Sequence, residues 1–101
     1  MTQGADPAKV ASHVYKLIME NDRVRVFDVT FKPGDKAVMH GHPDHVVYVM
    51  EGGTNRLTFP GGKSAEFELK PGQALWIDAG EHETVNVGTS NVHLLVFELK
   101  S

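Results

Sequence analysis

The stretch Lys36-Ala37-Val38-Met39-His40-Gly41-His42 is the most informative part of the sequence for the fold. It suits an extended strand, on which side chains two residues apart project from the same face. His40 and His42 can therefore reach one point in space. Neutral imidazole is available at physiological pH and is the commonest metal-binding side chain. The stretch thus indicates a strand that carries a metal-binding pair.

Two further histidines extend this pair. His45 falls on the same strand face as Val47 and Val49, and that face is expected to point inward because those residues are apolar. His82 lies on a distant segment that is bounded by the same type of turn. A His-x-His pair alone is weak evidence, but four histidines in two strand-like segments predict a metal site. Its candidate ligands are His40, His42, His45 and His82.

The residue types restrict the metal. The chain has no cysteine, which excludes disulfides and thiolate ligands and leaves nitrogen and oxygen. Three imidazoles in a facial arrangement suit a divalent transition metal (Fe, Mn, Ni, Cu, Co or Zn) better than Mg or Ca, which prefer oxygen ligands. The remaining histidines, His13 and His93, are expected to be structural or surface residues.

Length and charge narrow the class of protein. A chain of 101 residues with 41% hydrophobic residues predicts one small globular domain, expected over residues 5–101. The net charge is -3, and no basic run marks a nucleic-acid partner. No apolar stretch is long enough to span a bilayer. The polar segment 1–9 lacks the apolar run of a signal peptide, so we expect a cytoplasmic protein that does not bind membranes.

Glycines and prolines divide the chain into short runs rich in β-branched and aromatic residues, a pattern typical of a β-sandwich or barrel. Only Asp6–Ser12 offers a helical turn, with Asp6 as its cap and Pro7 behind it. Strands are predicted near Tyr15–Met19, Arg23–Lys32, Lys36–His40, Val46–Glu51, Asn55–Phe59, Ser64–Lys70, Ala74–Ile77, His82–Val87 and Val92–Lys100.

An apolar interior is expected inside these strands. Trp76 is expected to belong to the core, and Tyr48 and Asn86 are the plausible polar residues near a ligand pocket. The acidic residues beside the histidines are expected to be solvated turn residues rather than partners of a ring N–H. The predicted interior residues are Phe27, Val29, Val47, Val49, Leu57, Phe59, Leu75, Ile77, Val85, Leu95 and Phe97; the flanking acidic residues are Asp44, Glu81 and Glu83.

Two motifs resemble those of the cupin superfamily. The first runs from Gly34 through His40-Gly41-His42 to Gly52, and the second covers 72–86, with His82 and Asn86 four residues apart. The resemblance implies an all-β, cupin-type double-stranded β-helix, also called a jelly-roll barrel, in a single domain. The whole chain is also similar, more loosely, to the small single-domain bacterial cupins known as β-alanine degradation proteins.

The resemblance also implies ligands. His40, His42 and His82 match the three histidine ligands of metal-binding cupins, whereas the glutamate ligand has no match and His45 takes its place. An all-histidine site leaves a divalent ion with its full charge, which strengthens its attraction for an oxygen substrate.

The leading hypothesis is a metal-dependent enzyme, dioxygenase-like or lyase-like, that acts on a small oxygenated metabolite. No residue is identified as catalytic. The alternative is a non-catalytic module that binds or senses a small ligand; metal storage or delivery is a third and weaker interpretation. A homodimer is expected, since small β-sandwiches often pair their sheets about a two-fold axis.

Overall fold

Two antiparallel β-sheets make up nearly all of the protein in a computed structural model that describes residues 4–100. One sheet has five strands in the order β1-β2-β9-β4-β7, and the other has four in the order β3-β8-β5-β6. The elements are α1 (Pro7–Val10), β1 (Tyr15–Glu20), β2 (Val24–Phe31), β3 (Lys36–His42), β4 (His45–Glu51), β5 (Gly53–Thr58), β6 (Ser64–Leu69), β7 (Ala74–Ile77), β8 (Gly80–Asn86) and β9 (Val92–Leu99).

The predicted all-β class and jelly-roll architecture are confirmed, and the strands agree with the sequence pattern to within about two residues. Two of the two-residue differences lie beside the histidines, where β3 continues to His42 and β8 begins at Gly80. These two residues pair across the sheet, as do His40 and His82, and this pairing extends both strands.

The single helical turn forms as the sequence predicts. Asp6 is the N-cap of α1, and its side chain accepts a hydrogen bond from the Ala8 amide at 3.0 Å. Pro7 occupies the first helical position, where its fixed φ is favourable and its missing N–H is not needed. Within residues 4–100, no helix is long and apolar enough to cross a membrane.

The core lies between the inner faces of the two sheets. Phe27, Val29, Val47 and Val49 are buried as predicted. Trp76, in contrast, is 56% exposed, so its prediction as a core residue is wrong. The reason is its register on β7: Trp76 pairs with Val46 on the outer face of the sheet, whereas its neighbours Leu75 and Ile77 pack against the core. Phe59, also predicted inside, is 37% exposed at the end of β5.

The predicted phase of β9 is wrong by one residue. Leu94 and Val96 are buried, whereas Leu95 and Phe97, the predicted interior residues, are only half-buried. Since β9 is apolar at successive positions, hydrophobic alternation does not reveal which face is inward. The consequence is that Glu98, in phase with Val96, points into the protein and is 1% exposed.

Candidate metal centre

Three histidines of the four-stranded sheet form a buried cluster. His40 and His82 face each other across β3 and β8, with ring centroids 4.7 Å apart, and His42 follows two residues after His40 on the same face. One ring nitrogen from each of the three lies within 4.8 Å of the others. Their exposure is at most 7%. This arrangement can hold a metal ion.

His45 approaches the cluster from the other sheet. It is 2% exposed and shares the inner face of β4 with Val47 and Val49, as predicted. Its ring centroid lies 4.4 Å from that of His42, so it adjoins the cluster through that ring. The three mutually close nitrogens, however, belong to His40, His42 and His82 alone. Its role as a fourth ligand stays a prediction.

Hydrogen bonds fix the tautomers of these rings. Nδ1 of His40 lies 2.6 Å from the Val38 carbonyl oxygen, and Nδ1 of His45 lies 2.8 Å from that of Pro43. Because a carbonyl oxygen only accepts, each Nδ1 must carry the proton and donate it. In the neutral ring, Nε2 then keeps its lone pair. Both residues therefore have the tautomer that a metal requires of an Nε2 ligand.

The structure also gives a direct indication that a metal fits. Nε2 of His40 is buried and has no hydrogen-bond partner among the described residues. A buried acceptor without a partner is unfavourable, because it has lost its hydrogen bonds to water and gained none in return. A metal ion bound by the cluster would satisfy this nitrogen.

Burial keeps the imidazoles neutral. Desolvation lowers the pKa of His40 and His45, and with the neighbouring rings it lowers the pKa of His42 and of His82 to about 2. At physiological pH the rings are therefore neutral, with one protonated nitrogen and one free lone pair, which is the form that binds metals.

Glu98 adjoins the cluster, although the sequence pattern did not predict it there. Its Oε2 lies 2.5 Å from His42 Nδ1, and its Oε1 accepts hydrogen bonds from Nε and Nη2 of Arg25 at 3.0 and 2.8 Å. Burial raises the pKa of Glu98, and the hydrogen bonds and charge of Arg25 oppose that shift. Arg25 is also paired with Asp6 at 3.1 Å, so hydrogen bonds connect α1 to the cluster.

A sequence signal for Glu98 existed in β9. Glu98 shares a strand face with Leu94 and Val96, but this signal is ambiguous because Leu95 and Phe97 make the opposite face equally apolar. An ionisable residue on a buried face requires a partner, and such a partner is often functional. The acidic residues that flank the histidines are not those partners: Asp44 accepts from the Ala79 amide.

Tyr15 is a second residue that the sequence analysis did not identify. Its hydroxyl lies 3.2 Å from His42 Nε2, and its side chain is buried. Burial and the nearby Glu98 charge raise the pKa of Tyr15, so the phenol stays protonated and can donate to this nitrogen. Tyr15 therefore occupies the atom of His42 that would face a metal.

A cavity of about 340 Å³ adjoins the cluster and is lined by His45, His82 and Tyr15. Trp76 also lines this cavity, although its side chain is largely exposed. Of the two polar residues predicted near a pocket, Tyr48 is 39% exposed and does not line this cavity. Asn86 instead holds backbone groups in place. The other lining residues are Phe31, Val47, Asn55, Leu57, Phe59, Phe67, Leu69, Leu75, Ile77, Asp78, Thr84, Leu94 and Val96.

Solved structures resemble this fold. A cupin domain from Bordetella pertussis Tohama I has a TM-score of 0.80 at 29% identity, covering 87% of this chain and 93% of that chain. A cupin superfamily protein from Desulfitobacterium hafniense DCB-2 has a TM-score of 0.65 at 18% identity, with 87% and 77% covered. An RmlC-like cupin family protein with a double-stranded β-helix fold, from Methanocaldococcus jannaschii, has a TM-score of 0.67 at 12% identity, with 85% and 78% covered.

The sequence itself identifies the family. No curated protein matches the sequence of this chain, but a family model does. The family model described as a cupin domain matches residues 27–98, which include the histidine cluster, Arg25's partner Glu98 and most of both sheets. The chain therefore belongs to the cupin family.

Proposed function

We propose that this cupin is a metal-dependent enzyme whose divalent transition metal is held by His40, His42 and His82, with His45 as the fourth ligand. The observation that carries the proposal is the buried His40 Nε2 without a partner, in a cluster of neutral imidazoles. We propose a dioxygenase-like or lyase-like reaction on a small oxygenated metabolite. The metal is Fe, Mn, Ni, Cu, Co or Zn.

The cluster and the cavity together support a ligand at the metal. His45 and His82 line the cavity, so a small molecule in it would lie beside these two side chains. A transition metal bound by neutral imidazoles supplies Lewis acidity toward a ligand with two oxygen donors. The mostly apolar lining excludes water around that ligand and strengthens its polar interactions with the site.

The chain's own residues orient the ligands. Glu98 holds the Nδ1 proton of His42, and Arg25 holds Glu98 by two hydrogen bonds. A carboxylate that accepts from a ligating imidazole raises its basicity and fixes its ring orientation. Because no carboxylate within residues 4–100 belongs to the nitrogen cluster, Glu98 would deliver its negative charge through His42 rather than by direct contact.

Elemental analysis tests the proposal. Protein produced without a polyhistidine tag or chelator should contain one transition metal per chain, and reloading the stripped protein should raise its melting temperature. His82→Ala should lose the metal, whereas His13→Ala, which changes an exposed histidine, should keep it. Absence of a stoichiometric metal together with an unchanged melting temperature after loading would refute the proposal.

A second candidate function is a non-catalytic module that binds or senses a small ligand. It is favoured by the missing carboxylate ligand in the three-histidine cluster. Turnover of a small oxygenated substrate that His82→Ala abolishes, with the fold intact by circular dichroism, would decide for the enzyme. Ligand binding that is unaffected by the loss of metal, without turnover, would decide for the module.

We also propose a homodimer. β1 is an edge strand, and its consecutive apolar residues Leu17, Ile18 and Met19 are 42–51% exposed. An exposed apolar edge is a common site of pairing with a second copy. Light scattering at micromolar concentration should show twice the mass of one chain. A cytoplasmic location, the absence of a nucleic-acid partner and the domain bounds 5–101 stay predictions.

A further inference from the structure

Two buried side-chain atoms lack a hydrogen-bond partner within residues 4–100: Nε2 of His40 and Oδ1 of Asn55. A bound metal would explain the first. The second atom is on β5, and Asn55 is not part of the histidine cluster, so a metal there would not explain it. A buried amide oxygen without a partner destabilises the fold, so its presence needs an explanation of its own.

The neighbouring asparagine makes the structural hydrogen bonds that Oδ1 of Asn55 lacks. Asn86 lies directly opposite Asn55 in the register of β5 and β8, and both are at most 2% exposed. The Asn86 side chain donates to the carbonyl oxygens of Phe31 and Ser90 and accepts from the Gly88 amide. Oδ1 of Asn55 makes no such bond.

Asn55 lines the same cavity as His82. His82 and Asn86 are four residues apart on β8, which is about 13 Å along an extended strand. Since Asn55 pairs with Asn86, the amide and the imidazole lie toward opposite ends of one wall of the cavity. The row between them is Leu57 opposite Thr84, and both of these residues also line the cavity.

We propose that Asn55 is a specificity-determining residue that hydrogen-bonds a hydroxyl group at the far end of a small, largely apolar ligand. A hydroxyl both donates and accepts, so it can accept from the Asn55 amide nitrogen, or donate to Oδ1 once the side chain turns that buried oxygen toward the cavity. Leu57, Phe67 and Trp76 give the cavity the apolar and aromatic lining that accepts a hydrocarbon ring. The part of this proposal that places one end of the ligand at the metal rests on the proposed function. The hydrogen bond between Asn55 and the other end of the ligand does not depend on it.

The test uses metal-free protein and two ring probes of similar size, phenol and toluene. Their dissociation constants are measured by titration of ¹⁵N-labelled protein, in which the Asn55 side-chain amide signal should shift further with phenol than with toluene. In Asn55→Leu, a change of similar volume, the preference for phenol over toluene should fall about 5- to 10-fold, the worth of one hydrogen bond.

Thermal unfolding separates a ligand contact from a structural residue. Asn55→Leu should raise the melting temperature of the ligand-free protein, because it removes an unpaired buried oxygen. Asn86→Leu is the matched control and should lower it, because three hydrogen bonds are lost.

Three results would overturn the proposal: an unchanged phenol preference in Asn55→Leu, a melting temperature that falls as far as in Asn86→Leu, or no phenol binding to the wild type at millimolar concentration. If the wild type binds no metal but Asn55→Leu still loses the phenol preference, the proposed function is refuted and the role of Asn55 stands.

Discussion

Oε2 of Glu98 lies 2.5 Å from Nδ1 of His42, and both side chains are 1% exposed. The contact joins β9 of one sheet to β3 of the other. A carboxylate in this position holds the Nδ1 proton and directs Nε2 of His42 to its cluster neighbours. The family resemblance implies a glutamate as a ligand, whereas here the glutamate lies behind His42, a proposed ligand.

Glu98→Gln should weaken metal binding about 10- to 100-fold, the usual effect of removing an outer partner of a histidine ligand. Glutamine keeps the shape of the side chain but loses its charge. A competition titration with a zinc-sensitive dye measures the effect. Glu66→Gln is the control, since its pair with Arg56 is exposed and should not influence the site. Equal zinc affinity of wild type and Glu98→Gln would contradict the role of Glu98.

Tyr15→Phe should strengthen metal binding modestly, by about 2- to 10-fold, because the hydroxyl competes with the metal for His42 Nε2. The same dye titration measures this change. Urea unfolding of the metal-free variant shows whether its fold is intact. Weaker zinc binding by Tyr15→Phe would show instead that the hydroxyl supports the bound state.

The metal-free protein should lose stability as the pH falls below about 6.5. In the folded state burial lowers the pKa of His42 and His82 to about 2, whereas unfolded histidines titrate near 6.5. Below pH 6.5 the unfolded state therefore binds more protons, and each such histidine contributes up to about 1.4 kcal/mol per pH unit. Urea unfolding at pH 7.5, 6.5 and 5.5 tests this, with a shallower slope expected for His82→Leu.

The metal-loaded protein should lose stability more steeply over the same pH range. Protons compete with the metal for the imidazole nitrogens, so acid removes the stabilisation that bound metal provides in addition to the effect on the empty site. Melting temperatures of loaded and stripped protein, recorded at each pH, measure the difference. Parallel curves would speak against histidine ligation.

Local patterns in the sequence predicted most of the fold. Turn residues and β-branched runs locate the strands, and the Asp6-Pro7 pair predicts α1. The apolar neighbours of His45 predict its inward position correctly. These signals succeed because they depend on residues close together in the chain.

The outer part of the site could not be predicted in this way. The contact of Glu98 with His42 spans 56 residues and depends on the pairing of distant strands. The apolar residues on both faces of β9 conceal its phase, so neither the burial of Glu98 nor its partner Arg25 follows from hydrophobic alternation. The exposure of Trp76 likewise depends on the register between β7 and β4, which pairs it with Val46 on the outer face.

The position of the histidine cluster between the two sheets has a mechanical consequence. His42 and His45 come from different sheets, and their rings are in contact with each other. The chain has no cysteine, so no disulfide can join the sheets. An ion bound to both would act as a cross-link, in the place where other small β-proteins use a disulfide. Separating the sheets and releasing the ion would then be one event, so the rate of metal loss would report how often the sandwich opens.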